Sequence, residues 1–234
     1  MEHPVPPRGD GGLTRDLLLS GGFAEQIQRL QPEMRLLTDA QRHASLASIL
    51  AERPDHGRGV WVFAYGSLIW NPAIHVAEHC LARVVGWHRS FCLATRAGRG
   101  DAQTPGMLLG LEEGGECVGS VLRVAEEHVA TELDILWRRE MVGHGYIPRW
   151  LDVESLDGAP LGQAITFTID PHGPNYAGDV PERELIRRIA NARGILGTSW
   201  DYLVNTRHGL RELGVADPLI ERIGAIVEAL GVDI

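Results

Sequence analysis

The sequence predicts an α+β fold in which a largely antiparallel sheet is curled or closed and is flanked by helices. Three observations predict it. Strand-like runs cluster between residues 60 and 170, a single helical stretch interrupts them, and helical periodicity occupies both ends of the 234-residue chain. Strands grouped together and followed by grouped helices segregate into separate layers, whereas regular β-α alternation would have implied a parallel sheet.

Taken in chain order, residues 1 to 12 are rich in Pro and Gly and are expected to be disordered. Residues 13–50 turn helical, and Thr38 followed by Gln41 has the S/T-x-x-E/Q spacing that caps a helix start. "AERPDHGRG" reads as a linker, which divides the chain into an N-terminal extension (1–58) and a main domain (59–234). Strands are expected at "VWVFA", "RVVGWHRSFCLA", "GMLLGL", "CVGSVLRV", "YIPRWLDV" and "QAITFTID". The third and fourth, joined by Glu112-Glu113-Gly114-Gly115, are expected to form a hairpin, and a helix is expected over residues 125–140. Beyond an irregular "PHGPNYAGDVP" come three helices. Thr198 and Gly214 bound the second, and Asp217, Pro218 and Gly231 bound the third.

Composition narrows the function. A net charge of −9 repels nucleic acid and anionic membrane, and no apolar run approaches the roughly 20 residues that span a bilayer. A cytoplasmic protein with a small-molecule partner is expected, its oligomeric state left open. Cys80, Cys92 and Cys117 lie far apart with no C-x-x-C pair, so neither a disulfide framework nor a thiolate zinc site is indicated. Arg83, Arg89, Arg96 and Arg99 share one segment without an Asp or Glu, a place for an anionic ligand unless they pair with carboxylates elsewhere.

The helix "AEEHVATELDILWRRE" carries the sharpest clue. Val129, Leu133 and Leu136 form its apolar stripe, and the next member of that stripe is Glu140. Eleven residues at 3.6 per turn return to within about 20° of the starting direction. The carboxylate therefore faces the core, where desolvation and the helix C-terminus both raise its pKa, or else it folds back onto Arg138 or Arg139. A second clue is "VFAYGSLIWNP", where a buried strand breaks into Tyr65-Gly66-Ser67-Leu68. Gly66 permits positive φ and close approach, and the amides of Gly66, Ser67 and Leu68 are placed to converge on an anion or a developing oxyanion.

Tyr65-Gly66-Ser67-Leu68-Ile69-Trp70 and Trp137-Arg138-Arg139-Glu140 together resemble the ChaC family of glutathione-specific γ-glutamylcyclotransferases. Arg99-Gly100, Pro105-Gly106, Asn175-Tyr176-Ala177-Gly178 and Asp201-Tyr202-Leu203 extend the resemblance in order over residues 60–213. It implies a mixed, largely antiparallel curled sheet or small barrel, a cytosolic setting, no cofactor and glutathione as substrate. It also implies that Glu140 is the acid/base, that the Tyr65 to Leu68 turn binds the γ-glutamyl group, and that Tyr176 and Arg99 contact substrate, Arg99 at the Cys-Gly end.

Other readings compete with this one. His75-Val76-Ala77-Glu78-His79 has the H-x-x-E-H spacing of inverted zinc peptidases, but it follows Asn71-Pro72 and runs into a strand, so the helix that chemistry needs is not expected. G-x-S-x-G is missing around Ser67 and Ser120, against a serine hydrolase. A cyclotransferase acting on other γ-glutamyl amino acids or amines, and a binding protein without turnover, remain as alternatives.

Overall fold

The computed structural model describes residues 13–54 and 58–231. The expected disorder of residues 1–12 falls outside them, as does part of the expected linker at 55–57. Three helices come first, α1 (Arg15–Leu19), α2 (Gly22–Leu30) and α3 (Asp39–Ala51). Thr38 and Gln41 cap α3 reciprocally: the Gln41 N–H donates to Thr38 Oγ1 at 3.2 Å and the Thr38 N–H to Gln41 Oε1 at 2.9 Å.

The chain then runs through β1 (Val60–Ala64), β2 (Glu78–Thr95), β3 (Gly106–Val124), α4 (Val129–Glu140), β4 (Tyr146–Glu154) and β5 (Pro160–Ile169). It continues through α5 (Glu182–Asn191), the two-residue strands β6 (Arg193–Gly194) and β7 (Gly197–Thr198), α6 (Ser199–Glu212) and α7 (Pro218–Ala229). The five long strands close into a barrel in the order β1-β3-β2-β4-β5. Neighbours are antiparallel except where β5 meets β1, with Ile165 opposite Val62. The fold is thus α+β with a mixed, closed sheet.

The structure corrects the expected hairpin at residues 112–115. "GMLLGL" and "CVGSVLRV" are one strand, β3, which pairs with β2 along its length, from Gly106 opposite Thr95 to Arg123 opposite Glu78. Gly114 and Gly115 have φ of 98° and 68°, and they lie across from Gly86, at 86°, where the register slips between Val85 and Trp87. Turns and bulges both demand left-handed backbone, so the same glycines read as a reversal in sequence and act as a bend in the ribbon. The reversal itself lies at residues 96–105.

Val60, Val62, Phe63 and Ala64 of β1 are all buried, the pattern of a strand covered on both faces. The predicted stripe of α4 is buried too, and Trp137 stands edge-on to Phe167 of β5 with ring centroids 5.2 Å apart. Of the N-terminal helices, α1 and α3 pack against α4. Trp137 Nε1 donates to Ser45 Oγ at 3.1 Å, Trp150 Nε1 to Ile49 O at 2.8 Å, and the Leu37 N–H to Val142 O at 2.9 Å. Arg15 grips buried Glu132 with both nitrogens, at 2.5 and 2.7 Å. Burial alone would raise the Glu132 pKa, but the Arg15 fork and the His75 N–H outweigh it and hold the carboxyl below its usual range.

Leu18, Phe23, Ile27, Leu37, Leu46 and Ile49 belong to one apolar cluster with the barrel. Burying such a side chain stabilises by about 1.5–3 kcal/mol. Six of them rival the roughly 5–15 kcal/mol by which a whole domain is stable. A chain beginning at Gly59 is therefore expected to aggregate, or to lose its cooperative melt, by size-exclusion chromatography and calorimetry. A monodisperse, sharply melting product would show that these helices are dispensable.

Candidate active site

The site forms where the turn after β1 meets the end of α4. Tyr65 is anchored at both ends, its carbonyl accepting from Arg89 Nε at 2.7 Å and its hydroxyl donating to Phe167 O at 2.6 Å. Gly66 has φ −136°, so the expected positive φ is not used. Its missing Cβ is still required, because a Cβ there would lie 2.8 Å from the Tyr202 hydroxyl oxygen. Ser67–Ile69 is a 3-10 turn closed by the Ile69 N–H on Gly66 O (3.0 Å) and followed by the Asn71 N–H on Ser67 O (2.8 Å). The leading amides of such a turn, Ser67 and Leu68, have no partner within it.

Glu140 is the last residue of α4, and its side chain is 13% exposed. Both fates expected for it occur together. It lines the cavity described below, and its Oε1 accepts from Arg139 Nε at 2.8 Å, while Arg138 turns away to Asp134. Arg139 also donates from Nη2 to Ser67 Oγ at 2.8 Å and from Nη1 to Asn71 O. One guanidinium thus joins the carboxylate to the turn. Burial raises the Glu140 pKa above its ordinary value, and the attraction and hydrogen bond of Arg139 oppose that rise.

Two spaces meet at Ser67, Glu140, Tyr146 and Tyr202. The inner one, about 20 Å³, is enclosed by Tyr65, Gly66, Leu68, Leu109 and Phe167. The outer one, about 170 Å³, is walled by residues 93–99, by Trp70 and by the N-terminal segment. Burial pushes the Tyr65 and Tyr146 phenols well above the ordinary range and that of Tyr202 up to about 12, so all three are neutral hydroxyls near neutral pH. Tyr146 donates to Leu109 O at 2.9 Å, and Tyr202 accepts from the Leu109 N–H at 3.3 Å.

Of the residues singled out in the sequence, Glu140, Tyr65, Gly66, Ser67 and Leu68 surround the inner space, and Arg99 lines the outer one. Arg99 lies over the Trp70 ring at 5.8 Å, and Ser199 fixes its backbone by donating to Arg99 O at 3.0 Å. The arginine group divides: Arg83 and Arg89 pair with Glu154 and Asp217, whereas Arg96 and Arg99 reach the cavity. Tyr176 is not brought into the cavity. Its hydroxyl donates to Glu112 Oε1 at 2.6 Å, a bond that raises its pKa to about 12, and the neighbouring Asn175 lines the wall instead.

Sequence reasoning missed Arg139, Tyr146 and Tyr202 as site groups, although Arg139 adjoins Glu140 and Tyr202 belongs to a quoted motif. His75 and His79 do not share a helix, because the segment is irregular until Glu78 opens β2. Among the described residues no group of three or more His, Cys, Asp or Glu is placed to hold a metal ion, and no helix is long and apolar enough to cross a membrane.

A family model described as ChaC-like protein matches residues 60–230. A protein of Escherichia coli (strain K12), named glutathione-specific gamma-glutamylcyclotransferase, is 43% identical over 205 residues, covering 88% of this chain and 87% of its own. A human protein, glutathione-specific gamma-glutamylcyclotransferase 1, is 30% identical over 178 residues, covering 74% and 79% respectively. Among solved structures, a yeast gamma-glutamyl cyclotransferase specific to glutathione superposes with a TM-score of 0.68 at 18% identity. That match covers 74% of this chain and 97% of the yeast one, and it shows a shared fold.

The raised pKa of Glu140 has a measurable consequence. The folded chain holds this proton more tightly than the unfolded chain, so the contribution to stability is complete below the unfolded value and is lost as pH rises through the folded one. Gln does not titrate. The melting temperature of Glu140→Gln minus that of the unsubstituted protein should therefore climb as pH rises above the ordinary carboxylate range. A flat or falling difference would show that the carboxyl is not held in a proton-favouring setting.

Proposed function

The chain belongs to the ChaC-like family, and from that membership we propose that it is a γ-glutamylcyclotransferase that cleaves glutathione to 5-oxoproline and Cys-Gly. The observation that carries the proposal is the shared inner space. A buried carboxylate and the Tyr65 to Leu68 turn face it together, tied by one arginine.

The γ-glutamyl group brings its own nucleophile. Its α-amine lies a few bonds from the γ-carbonyl, so a site that holds the reactive conformer draws on an effective molarity of about 10⁵ M or more. Glu140 takes a proton from the α-ammonium, and the freed nitrogen attacks the γ-carbonyl carbon. The carbonyl oxygen becomes an oxyanion as the five-membered ring closes. Collapse of that intermediate breaks the bond to the cysteine nitrogen, which receives the proton from Glu140 and departs as Cys-Gly; the ring nitrogen sheds its second proton and the freed amine takes one up, leaving a neutral lactam and an ammonium.

One carboxyl serves both transfers, and its pKa suits them because burial and Arg139 pull it in opposite directions. The Ser67 hydroxyl and the leading amides of the turn supply donors to the oxyanion or to the substrate α-carboxylate. Arg99, fixed over Trp70 in the outer space, faces the Cys-Gly end. Proton transfer and ring closure call for no cofactor, and a cytoplasmic setting accords with the substrate.

Purified protein mixed with glutathione is expected to release 5-oxoproline and Cys-Gly in equal amounts, read by chromatography. Glu140→Gln is expected to lose about 10²- to 10⁴-fold in turnover while still binding glutathione. Most of the activity surviving in that variant would remove Glu140 from the acid/base role. Saturable binding without turnover by the unsubstituted protein would instead indicate a sensor, and faster release from other γ-glutamyl amines would change the leaving group.

A further inference from the structure

We infer that Gln31 determines specificity by donating a hydrogen bond from its side-chain amide to a carbonyl or carboxylate oxygen of the Cys-Gly half of the substrate. The inference deepens the cyclotransferase reading and rests on it.

Gln31 is 7% exposed and lines the outer space, yet its Nε2 is buried with no hydrogen-bond partner among the described residues. Buried amides are ordinarily satisfied, and a donor left without a partner is costly. Its backbone, by contrast, is fully engaged: the N–H donates to Ile27 O at 2.8 Å, and the carbonyl accepts from the Met34 N–H at 3.0 Å. The residue is therefore held in place with its donor uncommitted.

Position assigns the ligand. Phe23, Ile27 and Gln31 follow one another at intervals of four, so α2 presents an apolar stripe to the cavity and ends it with an amide at the helix cap. Gln31 touches the outer space and not the inner one, where Glu140 and the Tyr65 to Leu68 turn hold the reacting carbonyl. The inner space, about 20 Å³, has room for little beyond the reacting carbonyl, so under the proposed reaction the departing dipeptide extends through the outer space. That dipeptide carries one peptide carbonyl and one carboxylate, acceptors matched to a neutral donor, and Arg96, exposed and without an ion pair among the described residues, lines the same space. Residue 31 also precedes the stretch matched by the family model.

Gln31→Met keeps the volume and removes the donor. The variant is expected to raise KM for glutathione about tenfold with kcat within about twofold, the effect of losing one hydrogen bond to a charged or strongly polar oxygen. Competitive inhibition by Cys-Gly should weaken by the same factor, and inhibition by 5-oxoproline should not change. Gln31→Glu, which keeps the shape and sets an anion at the same point, should weaken Cys-Gly further. Unaltered kinetics in Gln31→Met, or an equal loss for both products, would overturn the inference. A failure of the unsubstituted protein to turn over glutathione would overturn the reading beneath it, and the two results are distinct.

Discussion

Everything in the site depends on where the Arg139 guanidinium lies. It donates to Glu140, to the Ser67 hydroxyl and to the Asn71 carbonyl, so one planar cation joins the end of α4 to the turn that closes β1. Both charged side chains are largely sequestered, 4% and 13% exposed. An isolated carboxylate so placed would simply stay protonated, and an isolated guanidinium would be strongly destabilising. Together they leave Glu140 with a raised pKa that burial sets and Arg139 limits, which is the compromise a group needs if it is to accept a proton and then return it. The pair also explains why the turn can be a tight 3-10 segment, since its hydroxyl and the carbonyl just beyond it are held by a side chain that is itself fixed in the core.

The barrel supplies the surroundings that make this pair effective. Tyr65, Tyr146 and Tyr202 place neutral hydroxyls around the inner space, and their other contacts run to the backbone of β3 and β5. Among the described residues that line this space, Glu140 is the one carboxylate, and its charged partner is Arg139. Gly66 fits the same logic, because any side chain at that position would strike the Tyr202 hydroxyl. Close packing turns what looks in sequence like a flexible turn into a rigid wall.

How much of this was legible follows from the range of each signal. Periodicity along α4 placed Glu140 on the buried stripe, because a helix repeats its faces within a few residues. The strands of the barrel and the caps at Thr38, Thr198 and Asp217 are local in the same sense. Arg139 was legible as a partner for Glu140, but its bridge to the turn was not, since that rests on partners 68 and 72 residues away in the chain. Gly114-Gly115 misled because turn and bulge share one backbone requirement, and only the partner strand separates them. Tyr176 sits one residue from the wall, and the choice between it and Asn175 was made by Glu112, a contact 64 residues distant.

The N-terminal helices show why a domain boundary drawn from composition says little about function. Residues 51–59 do have the look of a linker, yet the helices before them are tied to α4 through Ser45 and Arg15 and to β4 through Ile49. Those same helices place Phe23, Ile27 and Gln31 against the outer cavity. Packing that stabilises the barrel and packing that bounds the site are therefore one set of contacts, and loosening α2 would change both at once. A wall built this way differs from a mobile lid: α1 is fastened to the helix that ends in Glu140, so in the proposed reaction the outer cavity and the Glu140 carboxyl keep a fixed separation. In a reaction whose rate comes from holding one conformer of its substrate, fixed separation is the property most worth conserving.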